Sequence, residues 1–123
     1  MKIAVAQQNY HIGNFSANVQ KIIHGITEAR SKGADLVLFS ELSICGYPPR
    51  DFLEFDDFID KCRAALDQIK VHTTDIAVLV GAPDRNPDPK GKDLFNAAFF
   101  LFEGEVRDVV YKTCLPTYDV FDE

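Results

Sequence analysis

Glu41 and Lys112 are the residues whose types and settings are best suited to chemistry. The apolar run Leu36-Val37-Leu38-Phe39-Ser40 ends on Glu41, and the run from Val106 to Tyr111 ends on Lys112. A carboxylate directly after a buried strand is partly desolvated, which raises its pKa toward the range of a general base or acid. The alternative is a glutamate that caps a neighbouring helix or faces water. An ammonium at the end of another strand can stabilise a developing oxyanion or lower the pKa of a nearby thiol. Its alternative is a solvated strand-end lysine. The three thiols, Cys45, Cys62 and Cys114, are odd in number and widely spaced. That pattern fits reduced cysteines better than a disulfide framework or a zinc site. Cys62 falls on the apolar stripe of a helix, where it reads as a small buried hydrophobe.

The elements that must position these groups follow from periodicity. Lys2 to Gln8 is mostly apolar, as expected of a central strand covered on both faces. After the Gly13-Asn14 turn, Phe15, Val19, Ile22, Ile23, Ile26 and Arg30 recur at helical spacing, and Gly33 supplies a left-handed cap. Asp35 to Ser40 is the second strand, so a right-handed crossover joins two parallel strands and the fold class is α/β. Gly46, Pro48 and Pro49 make Ser43 to Asp51 a loop.

A second helix carries the stripe Phe55, Phe58, Ile59, Cys62, Leu66 and Ile69. Asp56, Asp57 and Asp60 near its start complement the helix dipole and are read as helix-end residues, not a metal site. Asp75 to Gly81 is a third strand, and Pro87 to Lys92 is a polar connection. Leu94 to Phe102 and Glu105 to Tyr111 flank Glu103-Gly104 as an antiparallel hairpin. The order is βαβαβββ in a mixed sheet.

Composition narrows the classes. The 123 residues, 46% of them hydrophobic, suffice for one core. A net charge of −6 without a basic patch argues against nucleic-acid or anionic-membrane partners. The apolar stretch at the N-terminus is too short for a signal peptide or a membrane span, so a cytoplasmic location is expected. His11, His24 and His72 lack metal-ligand spacing, and neither Gly-x-Gly-x-x-Gly nor Gly-x-x-x-x-Gly-Lys occurs.

Two longer strings add a resemblance. Ser40 to Asp51, with Glu41 and Gly46-Tyr47-Pro48-Pro49-Arg50-Asp51, resembles the general-base segment of the nitrilase, or carbon–nitrogen hydrolase, superfamily. Tyr111 to Glu123, with Lys112 and Leu115-Pro116-Thr117-Tyr118-Asp119-Val120-Phe121-Asp122-Glu123, resembles its lysine segment. Ile3 to Gln7, Gly13-Asn14-Phe15 and Asn18 are similar to its first strand and helix. Within the superfamily the two strings are most similar to the glutaminase domains of glutamine-dependent NAD synthetases. Thr117 and Asp119 stand where that pattern has Asn and Gly.

The resemblance implies an αββα sandwich of which residues 1–123 form the N-terminal half. It implies a Glu-Lys-Cys mechanism on the side-chain amide of glutamine. Glu41 would act as proton carrier and Lys112 as the oxyanion-stabilising cation. Tyr47 and Tyr118 resemble residues of the glutamine pocket, and Glu123 resembles a second carboxylate that positions the lysine. The nucleophilic cysteine of the family lies beyond the lysine segment, past Glu123, and neither Cys45 nor Cys114 matches its motif. The chain alone is therefore expected to be an inactive fragment. It is also expected to leave apolar edges and faces unpaired, including Ala97 to Phe102, and so to self-associate as a homo-oligomer.

No cofactor is expected for residues 1–123. ATP and magnesium would serve a synthetase domain of the same parent chain, which amidates deamido-NAD. Two other readings stay open. One is a stand-alone amidase or carbamoylase of the superfamily; the other is a noncatalytic flavodoxin-like module, which the βαβαβ order permits.

Overall fold

The computed structural model describes residues 1–47, 56–85 and 94–112. They form β1 (Ile3–Val5), α1 (Phe15–Ser31), β2 (Leu36–Leu38), α2 (Asp56–Lys70), β3 (Ala77–Arg85), β4 (Leu94–Phe102) and β5 (Glu105–Tyr111). This is the expected βαβαβββ order, in one mixed sheet whose spatial order β1-β2-β3-β4-β5 follows the sequence. β1, β2 and β3 are parallel, while β4 is antiparallel to both β3 and β5.

Local chemistry explains the helices. The Asn14 side chain caps α1 by accepting from Ala17 N at 3.2 Å, which satisfies one of the orphan donors of the first turn. Gly33, with φ of +79°, follows the end of the helix as expected. Val19, Ile22, Ile26 and Ala29 of α1 and Phe58, Ile59, Cys62, Leu66 and Ile69 of α2 are buried. The rings of Phe15 and Phe58 meet edge to face at 5.1 Å. Right-handed crossovers that add strands in one direction put both helices on one face of the sheet. That face holds Val37, Val78, Val80, Phe99 and Leu101, all buried. A doubly wound module has helices on both faces and a reversal in strand order, and the described residues show neither.

The opposite face departs from the sequence reading. β1 was expected to be covered on both sides, yet Ile3 is 52% and Val5 67% exposed, because the helices cover only the alternate residues of each strand. The Ala97 to Phe102 run lies inside the sheet between β3 and β5 and so forms no open edge. Its Phe99 and Leu101 are fully buried on the helix face, while Ala98 and Phe100 are half-buried and Phe102 is 36% exposed, so the expectation of an uncovered apolar face holds. The third strand runs on to Arg85, beyond the expected Gly81, because β4 pairs with it along the whole length from Val78 to Arg85. Asp57 and Asp60 do serve the helix surface, pairing with Lys61 at 3.3 Å and Arg85 at 3.0 Å. The expected connection from Pro87 to Lys92 lies outside the described residues. Among the described residues no helix is long and apolar enough to cross a membrane.

One buried polar side chain ties the first loop to the second. Asn18 is fully buried; its Nδ2 donates to His11 O at 2.8 Å and Ile44 O at 3.1 Å, and its Oδ1 accepts from His11 N at 2.9 Å. Asn18→Leu removes all three bonds and takes their Asn18 partner from His11 N and Ile44 O, while His11 O keeps the N–H of Asn14 at 3.1 Å. The expected result is a loss of about 2–4 kcal/mol in a urea titration. A loss below about 0.5 kcal/mol, the scale of an ordinary surface change, would show that the staple is dispensable.

Candidate active site

Because β4 opposes its neighbours, the C-terminal ends of β2 and β5 share one end of the sheet with the start of β4. Glu41 leaves β2 there, Lys112 leaves β5, and Asn96 lies on the intervening β4. Lys112 Nζ donates to Glu41 Oε1 at 2.8 Å, across 71 residues of sequence. Asn96 Nδ2 donates to the same oxygen at 2.7 Å. The Lys112 backbone N–H also donates to Asn96 O at 2.9 Å. The two strand-end charges singled out from the sequence thus meet as an ion pair. The side chains of Glu41 and Lys112 are 39% and 41% exposed. Asn96, in contrast, is 5% exposed.

Glu41 reaches this position because the turn that carries it is pinned from below. The next residue, Leu42, has φ of +53°, an uncommon conformation for a residue with a Cβ, and its fully buried side chain anchors it there. Ile44 N donates to Gly81 O at 3.1 Å, and Gly81 N donates to Ser43 Oγ at 3.4 Å. The turn therefore lies directly on β3 at a residue without a side chain. A cleft of about 240 Å³ opens beside it. Phe39, Leu79, Gly81, Ala98 and Val110 give it an apolar lining, and Glu41, Asn96 and Lys112 supply its polar groups. An apolar floor with a few convergent polar groups is the usual form of a small-molecule site.

Cys45 and Cys62 are both buried, and neither lines this cleft. Cys45 Sγ lies 3.4 Å from Gly46 O. Contact with Cys45, then burial, pushes the Cys62 thiol well above its ordinary range, which suppresses the thiolate needed for nucleophilic attack. Burial and the neighbouring Asp84 carboxylate likewise raise the Tyr111 phenol, whose hydroxyl lies 3.4 Å from Asp84 Oδ2.

Tyr47 is 48% exposed and does not line the cleft. Tyr118, Glu123 and Cys114 lie outside the described residues. Among the described residues, no three His, Cys, Asp or Glu side chains gather to hold a metal ion. Sequence reasoning missed Asn96 and Gly81. Only the pairing register, with Gly81 opposite Ala98 and Pro83 opposite Asn96, brings them under Glu41.

The Carbon-nitrogen hydrolase family matches residues 2–119. A glutamine-dependent NAD(+) synthetase from Synechocystis is 39% identical over 98% of the chain, and the match covers 22% of that relative. The chain thus spans about a fifth of the length of such curated relatives. The crystal structure of a glutamine-dependent NAD(+) synthetase from Cytophaga hutchinsonii superposes with a TM-score of 0.85 at 25% identity, covering 93% of this chain and 19% of that one. An amidase from Nesterenkonia superposes with a TM-score of 0.78 at 26% identity, covering 98% of this chain and 45% of that one. A mutant of that amidase carries acrylamide, by Michael addition, at its active-site cysteine.

Proposed function

The chain belongs to the carbon–nitrogen hydrolase family, and on that premise we propose that it supplies the base and the cation of a glutaminase. The observation that carries this reading is the 2.8 Å contact between Glu41 and Lys112 at the edge of an apolar cleft. An amide is a poor electrophile, so its hydrolysis needs an activated nucleophile, a proton for the leaving nitrogen and a partner for the oxyanion. Glu41 takes the proton of a cysteine thiol, and the thiolate attacks the side-chain amide carbon of glutamine. Lys112 stabilises the oxyanion of the tetrahedral intermediate. Glu41 then delivers its proton to the departing ammonia, and water hydrolyses the thioester to glutamate.

The cysteine is assigned to a later segment of a longer polypeptide in which residues 1–123 form the first part of the hydrolase domain. The buried state of Cys45 and Cys62 supports that assignment, as does the active-site cysteine of the superposable amidase. In that polypeptide Tyr47, which stands outside the cleft lined by the described residues, and Tyr118 border a glutamine pocket that later segments complete, and Glu123 orients Lys112. The released ammonia passes to a synthetase domain of the same chain, where ATP and magnesium serve the amidation of deamido-NAD. The exposed Ile3, Val5 and Val110 supply apolar surface for packing against the rest of the domain or for self-association.

The test is an ammonia-release assay on glutamine with the full-length protein, repeated with ATP and deamido-NAD. Glutamine hydrolysis coupled to NAD formation is expected, whereas residues 1–123 alone are expected to release no ammonia above background. Glutaminase activity from the isolated 123 residues, lost in Glu41→Ala, would refute the assignment of the nucleophile to a later segment. The likeness to the Nesterenkonia amidase favours a second reading, a stand-alone amidase. Hydrolysis of simple amides, together with no Ser-Gly-Gly-x-Asp loop downstream, would select it.

A further inference from the structure

We infer that Asn96 is the positioning residue that holds Glu41 and Lys112 in one geometry and decides which oxygen of Glu41 handles the proton. This inference rests on the assignment of Glu41 as the base. Asn96 reaches both groups at once, by two different parts of one residue. Its side-chain Nδ2 meets Glu41 Oε1 at 2.7 Å, and its main-chain carbonyl accepts the backbone N–H of Lys112 at 2.9 Å. An ionised carboxylate only accepts hydrogen bonds, so the amide must turn its nitrogen toward it.

Burial gives that contact its leverage. Asn96 is 5% exposed on an interior strand, while both residues it touches are more than a third exposed and stand on chain that has just left a strand. Glu41 and Lys112 are long, flexible side chains, and an exposed pair of this kind pays rotamer entropy to stay in one arrangement. A short side chain locked in the sheet lowers that cost, because it offers a fixed donor at a fixed place.

The choice of amide also has a chemical consequence. Both donors to Glu41 among the described residues, Asn96 Nδ2 and Lys112 Nζ, fall on Oε1. Oε1 is thereby engaged, and Oε2 becomes the oxygen that exchanges the proton. Being neutral, the amide orients the carboxylate without placing a second cation against it. The main chain fits the same role. The C=O of Asn96 points toward β5, and opposite it on β3 stands Pro83, which has no N–H to donate.

The test uses the full-length protein and two variants, Asn96→Leu, which removes the donor, and Asn96→Asp, which keeps the shape and places a second carboxylate against Glu41. Glu41→Gln serves as the reference for loss of the base. In Asn96→Leu, kcat is expected to fall by about 10- to 100-fold with KM changed less than threefold, the scale set by misplacing a catalytic group. Asn96→Asp replaces the donor with a second carboxylate, which only accepts hydrogen bonds, and is expected to lose kcat at least as strongly, again with KM little changed. A merely structural asparagine would lower the melting temperature and the active fraction without lowering kcat per folded molecule.

A kcat per folded molecule unchanged in both variants overturns the role of Asn96 while wild-type activity lost in Glu41→Gln leaves the base in place. Wild-type protein without amidase activity, or full activity in Glu41→Gln, overturns the assignment of the base, and the role of Asn96 falls with it. If Asn96→Leu does not fold, kcat and KM of the near-isosteric Asn96→Asp decide.

Discussion

Glu41→Gln in the full-length protein is expected to lower kcat for glutamine hydrolysis by about 10³- to 10⁴-fold, the upper range for loss of a positioned acid–base group. The substitution is close to isosteric, and its carbonyl oxygen can still accept from Asn96 and Lys112 at the places where Oε1 now receives bonds at 2.7 and 2.8 Å. What it removes is basicity. The thiol keeps its proton, and the departing nitrogen is left without a donor. Lys112→Met keeps the aliphatic stem but removes the charge that faces the oxyanion, and the expected loss is about 10²- to 10³-fold.

The two residues share one contact, so they act as a unit, and the double variant is expected to be little worse than Glu41→Gln alone. Multiplicative losses would show that they work independently. Unfolding does not account for either loss, because an ion pair with both partners about 40% exposed belongs to the class that contributes about 0–1 kcal/mol. Melting temperatures of the two variants should therefore stay close to that of the wild type. A Glu41→Gln protein with more than a tenth of wild-type kcat would remove Glu41 from the mechanism.

The elements of this site were legible in the sequence to different depths, for physical reasons. The hairpin was fully legible. Leu94–Phe102 and Glu105–Tyr111 have the bounds expected of them, because Glu103 and Gly104 carry the positive φ values of a tight hairpin turn, +53° and +77°. The helix stripes were equally clear, since Val19, Ile22 and Ile26 repeat on one face and are all buried.

The flanks of the sheet were less clear. Apolar residues on both sides of β1 suggested two covered faces, but a single sequence does not reveal which layer supplies the cover, and Val5 stands 67% exposed. The reading of a strand from Asp75 to Gly81 stops short of the end of β3, because pairing with β4 carries it through to Arg85. The meeting of Glu41 with Lys112 was foreseen through two separate motifs. Their common partner, Asn96, was not, because it depends on register across three strands, and no local pattern encodes register between distant segments.

Gly81 leads to the second large effect, since the turn that presents Glu41 rests on it. A Cβ built there would lie 2.6 Å from Leu42 N, 3.2 Å from Ser40 O and 3.3 Å from the Glu41 carbonyl carbon. These are backbone atoms, which a rotamer change cannot move aside. Gly81 does not have a left-handed φ, so the need for glycine here is purely one of close approach. Gly81→Ala must lift the turn off β3, stretching the 3.1 Å bond from Ile44 N to Gly81 O and drawing Glu41 away from Asn96 and Lys112.

The expected outcome in the full-length protein is a fall of about 100-fold in kcat, as for a catalytic group displaced by about an ångström, with a stability loss of about 1–3 kcal/mol from overpacking. Gly33→Ala supplies the contrast. Nothing lies within 4 Å of a Cβ at Gly33, but its φ is +79°, so alanine there costs about 1 kcal/mol of backbone strain and should leave kcat unchanged. If the two variants lose stability alike and neither loses turnover, the contact between β3 and the Glu41 turn has no part in placing the base. If Gly81→Ala alone loses turnover, the small residue on β3 is what allows a carboxylate from β2 to reach across the sheet to a lysine on β5.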